Sequence, residues 1–172
     1  MRVENVKAPD KTTEEKLYQM INAWQDSLQR TCCALLGDAD LAKDAVQETF
    51  IKAYKALPAF REECSEKTWL MRIAMNVCKD IRRGNWFRLI NRHISLDDLP
   101  EPVSDPQDID FCLMTAVLDL PIKQRQVILM YYYHNLTVQE IAEALGISQP
   151  AVSKRLKIAR DKLRTVLREG EA

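Results

Sequence analysis

Apolar residues recur every three or four positions along most of the chain, which is the spacing of amphipathic helices. The first stripe predicts a helix that is capped by Thr12 or Thr13 and ends at Gly37. A second stripe follows a cap at Asp38 or Asp40 and runs to about residue 57. Each helix should therefore bury one face and expose the other.

A third apolar stripe follows, and after it comes a long segment without helical periodicity. The stripe predicts a helix from Lys67 to Arg83. Residues 93–109 contain three prolines and a run of acids, a composition that disfavours a helix and favours an extended tether. Apolar periodicity then resumes. We therefore expect an all-α protein with two small helical domains, 12–92 and 110–170, joined by the acidic, proline-containing linker 93–109.

The last third has the pattern of a helix-turn-helix. Thr137 and Glu140 have the spacing of a capping box, and Gly146 stands where a left-handed residue would end a helix. Ser148 is a good cap for a second helix with Pro150 in its first turn. The apolar stripe of that helix is Val152, Leu156, Ala159, Leu163 and Val166. Its opposite face is basic, as in a helix that enters a DNA major groove, although a helical hairpin that packs on another element would show a similar pattern.

Charge is segregated along the chain. Lys and Arg together equal Asp and Glu at 25 each, so a DNA-binding hypothesis cannot depend on net charge. Between Arg92 and Lys123 there are seven acids and no Lys or Arg. The span Arg61–Arg92 holds eight basic residues against four acids, and Val152–Arg168 holds seven against one. This distribution indicates two nucleic-acid-facing modules separated by a different kind of segment.

Composition narrows the function classes. The 172 residues are 47% hydrophobic and include only four glycines, which suits a packed helical protein. The five cysteines are scattered without a Cys-x-x-Cys pair, and there are only two histidines, so we predict reduced core cysteines and neither a metal site nor a cofactor. No phosphate-binding glycine loop or nucleophile with a base is evident, which argues against an enzyme with a small-molecule substrate. No apolar stretch could insert in a membrane, and we expect a cytoplasmic protein.

Two exposed polar faces remain open to more than one interpretation. The second helix has two acids and an amide, Asp44, Glu48 and Gln47, together with Lys55, which form either a solvated surface or a docking face for a partner's basic helix. The third helix carries a polar stripe, Arg72, Asn76, Lys79, Asp80 and Arg83. An Asn between cations can pair with a base edge while Arg and Lys neutralise phosphates, yet an ordinary wet face is equally compatible.

Three sequence blocks together resemble the extracytoplasmic-function group of bacterial RNA polymerase sigma factors. The first is Asp44-Ala-Val-Gln-Glu-Thr-Phe50. The second is Phe60-Arg61 followed by Thr68-Trp-Leu-Met-Arg-Ile-Ala-Met-Asn76 and Asp80-x-x-Arg83. The third starts at Leu120-Pro-x-x-x-Arg-Gln-Val and continues through the helix-turn-helix. The resemblance covers residues 13–168 and is specific because all three blocks occur in this order.

The resemblance implies a role for each surface. Core polymerase, through the clamp helices of its largest subunit, would bind Asp44, Gln47, Glu48 and Lys55, and its flap is a further expected contact. The melted −10 element would be read by Phe60, Arg61, Arg72, Asn76, Lys79 and Arg83. The −35 duplex would be read by Ser148, Gln149, Ser153, Lys154, Arg155, Lys157, Ile158 and Arg160. Promoter DNA and an anti-sigma factor are the remaining partners that the family implies.

The chain departs from the family pattern at two places in the recognition helix. Pro150-Ala151 replaces residues that are usually small, and Ile158 replaces a residue that is often basic. The −35 sequence preference therefore cannot be carried over. The competing hypothesis is a stand-alone regulator that binds operators as a dimer, but it leaves the acidic docking face and the Asn76 stripe without a role.

Overall fold

The computed structural model describes residues 11–84 and 111–170, and every regular element in these two spans is helical. The first half, residues 11–84, contains α1 (Lys11–Leu36), α2 (Ala39–Ala56), a 3-10 turn (Leu57–Ala59) and α3 (Glu66–Gly84). The second half, residues 111–170, contains α4 (Phe111–Leu118), α5 (Ile122–Ile128), a π-helical segment (Leu129–Tyr133), α6 (Val138–Leu145) and α7 (Gln149–Gly170). The predicted linker 93–109 lies outside the described residues.

Most helix ends follow the local signals in the sequence. Gly37 has a φ of 68° and ends α1, and the Asp38 carboxylate then accepts bonds of 3.0 Å from the backbone N–H groups of Asp40 and Leu41. Because these two N–H groups have no partner inside the helix, Asp38 is the cap of α2. The predicted cap of α1 was wrong, since α1 already includes Lys11 and Thr12 therefore lies inside its first turn.

The helix-turn-helix forms with the predicted caps. The Thr137 hydroxyl accepts from the N–H of Glu140 at 3.2 Å, and the Glu140 carboxylate accepts from the N–H of Thr137 at 2.9 Å. Gly146 ends α6 with a φ of 63°, a left-handed conformation that costs other residues free energy. Ser148 precedes α7, and its hydroxyl lies 3.4 Å from the N–H of Ala151. The capping box and the glycine turn thus fix the angle at which α7 leaves α6.

The predicted apolar stripes form the core, with two corrections. Val166 is 43% exposed, so the packed face of α7 ends near Leu163. On α3 the buried surface is wider than one stripe because the helix has neighbours on two sides. Cys78 contacts Cys32 of α1 with the two sulfurs 3.5 Å apart, and Met75 lines the same cavity as Ala144 of α6. The two halves therefore pack against each other through α3 and α6.

Candidate nucleic-acid and polymerase interfaces

The face of α7 predicted to read DNA is exposed. Val152, Leu156 and Ala159 are buried on the opposite side, which turns the polar residues outward. The exposed members of the predicted −35 set are Ser148, Gln149, Ser153, Lys154, Lys157 and Ile158. Ile158 is 38% exposed, an apolar side chain on a basic face. Such a face could present cations to phosphates and a methyl-binding surface to thymine.

Arg160 and Arg155 are half-buried, unlike the rest of that set. The Nε–H of Arg160 donates to the Tyr132 hydroxyl at 2.8 Å, and its guanidinium lies 5.3 Å from the ring centroid of Tyr131. The tyrosines therefore orient this cation. A phosphate contact by Arg160 would have to come from its terminal nitrogens. This support has no local sign in the sequence, because Tyr132 is 28 residues away.

The polar stripe of α3 lines a cleft between the two halves. Asn76, Lys79 and Arg83 are exposed, and they border a cavity of about 410 Å³. Its other wall includes Ile147 and Arg155 from the second half. The cleft is rich in cations and accessible to solvent. The predicted −10 and −35 sets thus meet at one place, which the sequence did not indicate.

A second cavity lies where the loop before α3 folds back. The rings of Phe60 and Trp69 are 4.7 Å apart, and with Arg72 they line a space of about 510 Å³. The Nε of Arg72 is buried and has no hydrogen-bond partner within the described residues. Glu143 of α6 closes one side of the cavity. An aromatic wall with cations is suited to an unstacked base and its phosphate.

The third predicted surface, on α2, is also exposed. It consists of Asp44, Gln47, Glu48 and Lys55. Beside it, a groove of about 590 Å³ runs between α1 and α2 and has Leu17, Ile21 and Phe50 among its lining residues. Gln47 belongs to both the groove and the predicted face. An apolar groove with an acidic margin fits a helix that has apolar residues on one side and cations at its edge. The contribution of α1 to this surface was not predicted.

Arg125 makes one polar contact across the boundary between the halves. Its side chain is buried and donates to the carbonyl of Ala34 at 2.6 Å and to that of Leu120 at 2.9 Å. Arg82 donates to the neighbouring carbonyl of Leu35 at 3.0 Å. Both cations lie at the carboxyl end of α1, where the last carbonyls have no partner inside the helix. Burial lowers the pKa of Arg125 to about 10, which keeps it charged at neutral pH.

His134 and Glu140 make three further contacts across the same boundary. The Nε2 of His134 lies 2.7 Å from the Thr31 hydroxyl, and its carbonyl accepts from Lys67. Burial, and next the charge of Lys67, lower the pKa of His134 to about 4. Glu140 accepts from the Thr68 hydroxyl at 2.8 Å. The N–H of Thr137 and then the hydroxyls of Thr68, Thr137 and Ser65 lower the pKa of this carboxyl.

No group of three or more His, Cys, Asp or Glu side chains in residues 11–84 and 111–170 is placed to hold a metal ion. Among the same residues, no helix has the length and apolar character needed to cross a membrane.

Two protein-family models match the chain. The sigma-70 region 2 model matches residues 20–88, and the sigma-70 region 4 model matches residues 110–163. The ECF RNA polymerase sigma factor SigW of Bacillus subtilis is 28% identical over 98% of this chain and 96% of its own length. SigL of Mycobacterium tuberculosis, another ECF RNA polymerase sigma factor, is 32% identical over 83% of each chain.

Solved structures share the fold. The sigma factor RpoE of Bartonella quintana, crystallised with the anti-sigma factor NepR, superposes with a TM-score of 0.69 over 92% of this chain and 98% of its own, at 21% identity. CnrH, solved with the cytosolic domain of CnrY, gives 0.64 over 91% of this chain and 90% of its own, at 22% identity. Matches to both regions and the identity to SigL lead to one conclusion: the chain belongs to the extracytoplasmic-function family of RNA polymerase sigma factors and directs transcription initiation.

Proposed function

We propose that this sigma factor binds core RNA polymerase through α2, reads the −10 element as a melted strand with α3, and reads the −35 element as duplex with α7. The observation that carries the proposal is the exposed polar stripe of α3 beside the Phe60–Trp69 cavity. A duplex reader needs only α7, whereas an initiator also needs a surface that prefers unpaired bases. The presence of both a duplex-reading helix and a surface suited to unpaired bases favours transcription initiation over simple operator binding.

The −10 surface would act by binding melted DNA better than duplex DNA. Extruding a base from the duplex costs a few kcal/mol of stacking and pairing. Stacking on an aromatic wall contributes about 1–3 kcal/mol per base, which offsets part of that cost. Phe60 and Trp69 supply the wall, and Asn76 supplies an amide that can pair with a base edge. Such a surface stabilises a melted bubble without ATP, since it shifts an existing equilibrium.

The −35 surface would position the protein on duplex DNA. Lys154 and Lys157 are exposed on α7 and can neutralise phosphates on either side of the groove. Ser153 and Ile158 flank these two lysines along the helix and would face base edges. The proposed base contacts therefore come from small and apolar side chains, while the affinity comes largely from the cations.

The polymerase-binding surface would be the α2 face together with the groove beside it. The acids Asp44 and Glu48 would attract a basic partner helix, and the groove would bury its apolar side. The same groove is a candidate site for an anti-sigma factor, since the structural neighbour RpoE was crystallised with such a partner. An inhibitor there would compete with polymerase directly.

The test compares paired variants in complexes with core polymerase. Asn76→Ala should reduce open-complex formation on promoter fragments and leave the affinity for core polymerase unchanged. Asn22→Ala is the control, because Asn22 is an exposed Asn on α1 that lines neither of the two cavities of the −10 surface nor the groove beside α2. If Asn76→Ala and Asn22→Ala open promoters equally well, the proposed reading of the −10 strand is wrong.

Charge reversal separates the polymerase-binding surface from the DNA surfaces. Asp44→Lys with Glu48→Lys should abolish binding to core polymerase. Glu15→Lys with Asp26→Lys makes the same change in net charge on exposed positions of α1 and should bind normally. Equal loss in both double variants would show that net charge, and not the α2 face, determines the affinity.

A further inference from the structure

A lysine of α1, Lys16, contacts the loop that forms one wall of the Phe60–Trp69 cavity. This loop, residues 60–65, connects the 3-10 turn to α3, and four of its residues line the cavity. Its first residue, Phe60, supplies part of the proposed stacking wall. A loop that moved freely would present Phe60 to a base only part of the time, and the affinity for that base would fall in proportion.

The ammonium of Lys16 meets this segment at three points. It lies 5.6 Å from the ring centroid of Phe60, at the beginning of the loop. It donates to the Glu62 carboxylate at 3.0 Å, in the middle of the loop. It also lies 2.9 Å from a carboxylate oxygen of Glu66, the first residue of α3. One side chain of α1 therefore connects the beginning, the middle and the far end of the segment.

The backbone of Glu62 explains why the loop needs support from outside. Its φ is 56°, in the left-handed region that residues with a side chain rarely adopt. A residue stays in that region only when its surroundings hold it there, and such residues often lie beside ligand sites. The ion pair with Lys16 is a contact that holds Glu62 from another helix, 46 positions away in the sequence.

Lys16 also changes the charge that a DNA strand meets at this cavity. Residues 60–66 contain three acids and one cation, a formal charge of −2, which would repel the phosphate of an incoming nucleotide. Lys16 pairs with two of the acids, Glu62 and Glu66, and brings the sum to −1. Its side chain is 30% exposed, so water screens these pairs less than it would on an open surface.

We propose that Lys16 is a positioning residue for promoter melting: it holds residues 60–65 in the conformation in which Phe60 stacks on the extruded base. The inference rests on the proposed reading of the −10 strand. Lys16 acts through the loop and contacts neither a base nor a phosphate. Its contribution to affinity therefore depends on the presence of the captured base, whereas the contribution of a phosphate-binding lysine does not.

The test measures binding of the holoenzyme to a short labelled single strand that carries the −10 element of a promoter used by the wild type. Abasic substitution at each position identifies the captured base as the one whose removal weakens binding most. The readout is the capture ratio, the affinity for the intact strand divided by that for the strand without this base. Circular dichroism and the affinity for core polymerase check that each variant is folded and assembles.

Lys16→Met removes the charge and keeps an unbranched side chain, and Lys16→Arg keeps the charge. Lys162→Met is the matched control, because Lys162 is an exposed lysine on α7 that lines none of the three cavities described above. Glu62→Gln with Glu66→Gln removes the two partners of Lys16 instead. This double variant should bind the abasic strand more tightly, since it has lost two acids, and should still have a lower capture ratio.

The capture ratio of the wild type should be about tenfold, as expected for stacking of one base. Lys16→Met should lower it to about threefold, because two partly exposed ion pairs shift the equilibrium of the loop by about fivefold. Lys16→Arg and Lys162→Met should keep the ratio of the wild type.

Three results would overturn the role of Lys16. One is an unchanged ratio in Lys16→Met with weaker binding of both strands, which is the effect of charge alone. The others are an equal fall of the ratio in Lys16→Arg or in Lys162→Met. Phe60→Ala separates this failure from that of the proposed function. A ratio that falls in Phe60→Ala but not in Lys16→Met overturns the positioning role alone, whereas a ratio unchanged in Phe60→Ala overturns the proposed reading of the −10 strand.

Discussion

Lowering the pH should reduce the free energy of unfolding of this protein, because one buried histidine is held neutral in the folded chain. His134 is 2% exposed, and its pKa is about 4 in the folded chain against an ordinary 6.5. The unfolded state therefore binds a proton more readily, and the stabilisation is complete above pH 6.5 and lost as the pH falls from 6.5 to 4. The full shift corresponds to about 3 kcal/mol, and about 2 kcal/mol of it should be lost at pH 5.

Urea denaturation of the wild type and of His134→Gln at pH 7.5 and pH 5 measures this loss. Other groups titrate over the same range, among them Glu140, whose pKa is lowered. The variant keeps them and removes only the histidine, so the difference between the two proteins isolates its contribution. The wild type should lose about 2 kcal/mol more than His134→Gln between the two pH values. Equal losses would refute the argument that His134 is held neutral by burial.

Three further changes test other parts of the fold. Leu28→Ala removes a fully buried side chain from α1 and should lower the free energy of unfolding by about 3 kcal/mol, measured by urea denaturation. Gly146→Ala should cost about 1 kcal/mol in the same assay, because nothing lies within 4 Å of the added methyl and only the left-handed backbone penalises it. Tyr132→Phe removes the hydroxyl that orients Arg160 and should weaken binding of the holoenzyme to promoter duplex severalfold, measured by filter binding at fixed salt. A urea denaturation curve unchanged by Leu28→Ala, a Gly146→Ala variant as stable as the wild type, or a Tyr132→Phe holoenzyme with full affinity would each contradict its prediction.

Local signals predicted the helix-turn-helix and most helix ends correctly. The reason is that Asp38, Thr137 and Gly146 act on backbone groups only two to four residues away. The spacing of apolar residues also predicted which face of each helix is buried, since an apolar stripe at the helical period must face the core. The start of α1 was missed because a threonine near a helix start can occupy either the cap or the first turn.

The packing of the two halves was not predictable in the same way. Arg125 and Ala34 are 91 residues apart, and no local pattern connects them. Glu140 was recognised as a capping residue, yet its second oxygen bonds Thr68 of the first half. The polar stripe of α3 gave no indication that α6 would lie beside it. Such contacts depend on how two amphipathic surfaces fit together, which the period of one helix does not encode.

We expect this chain to make core polymerase start transcription at particular promoters. The most direct measurement maps the 5′ ends of transcripts made by purified core polymerase on a genomic DNA library, with and without the protein. We predict that adding the protein produces discrete new 5′ ends that share two upstream sequence elements at a fixed spacing. An unchanged set of 5′ ends, from a protein that binds the polymerase, would contradict the account.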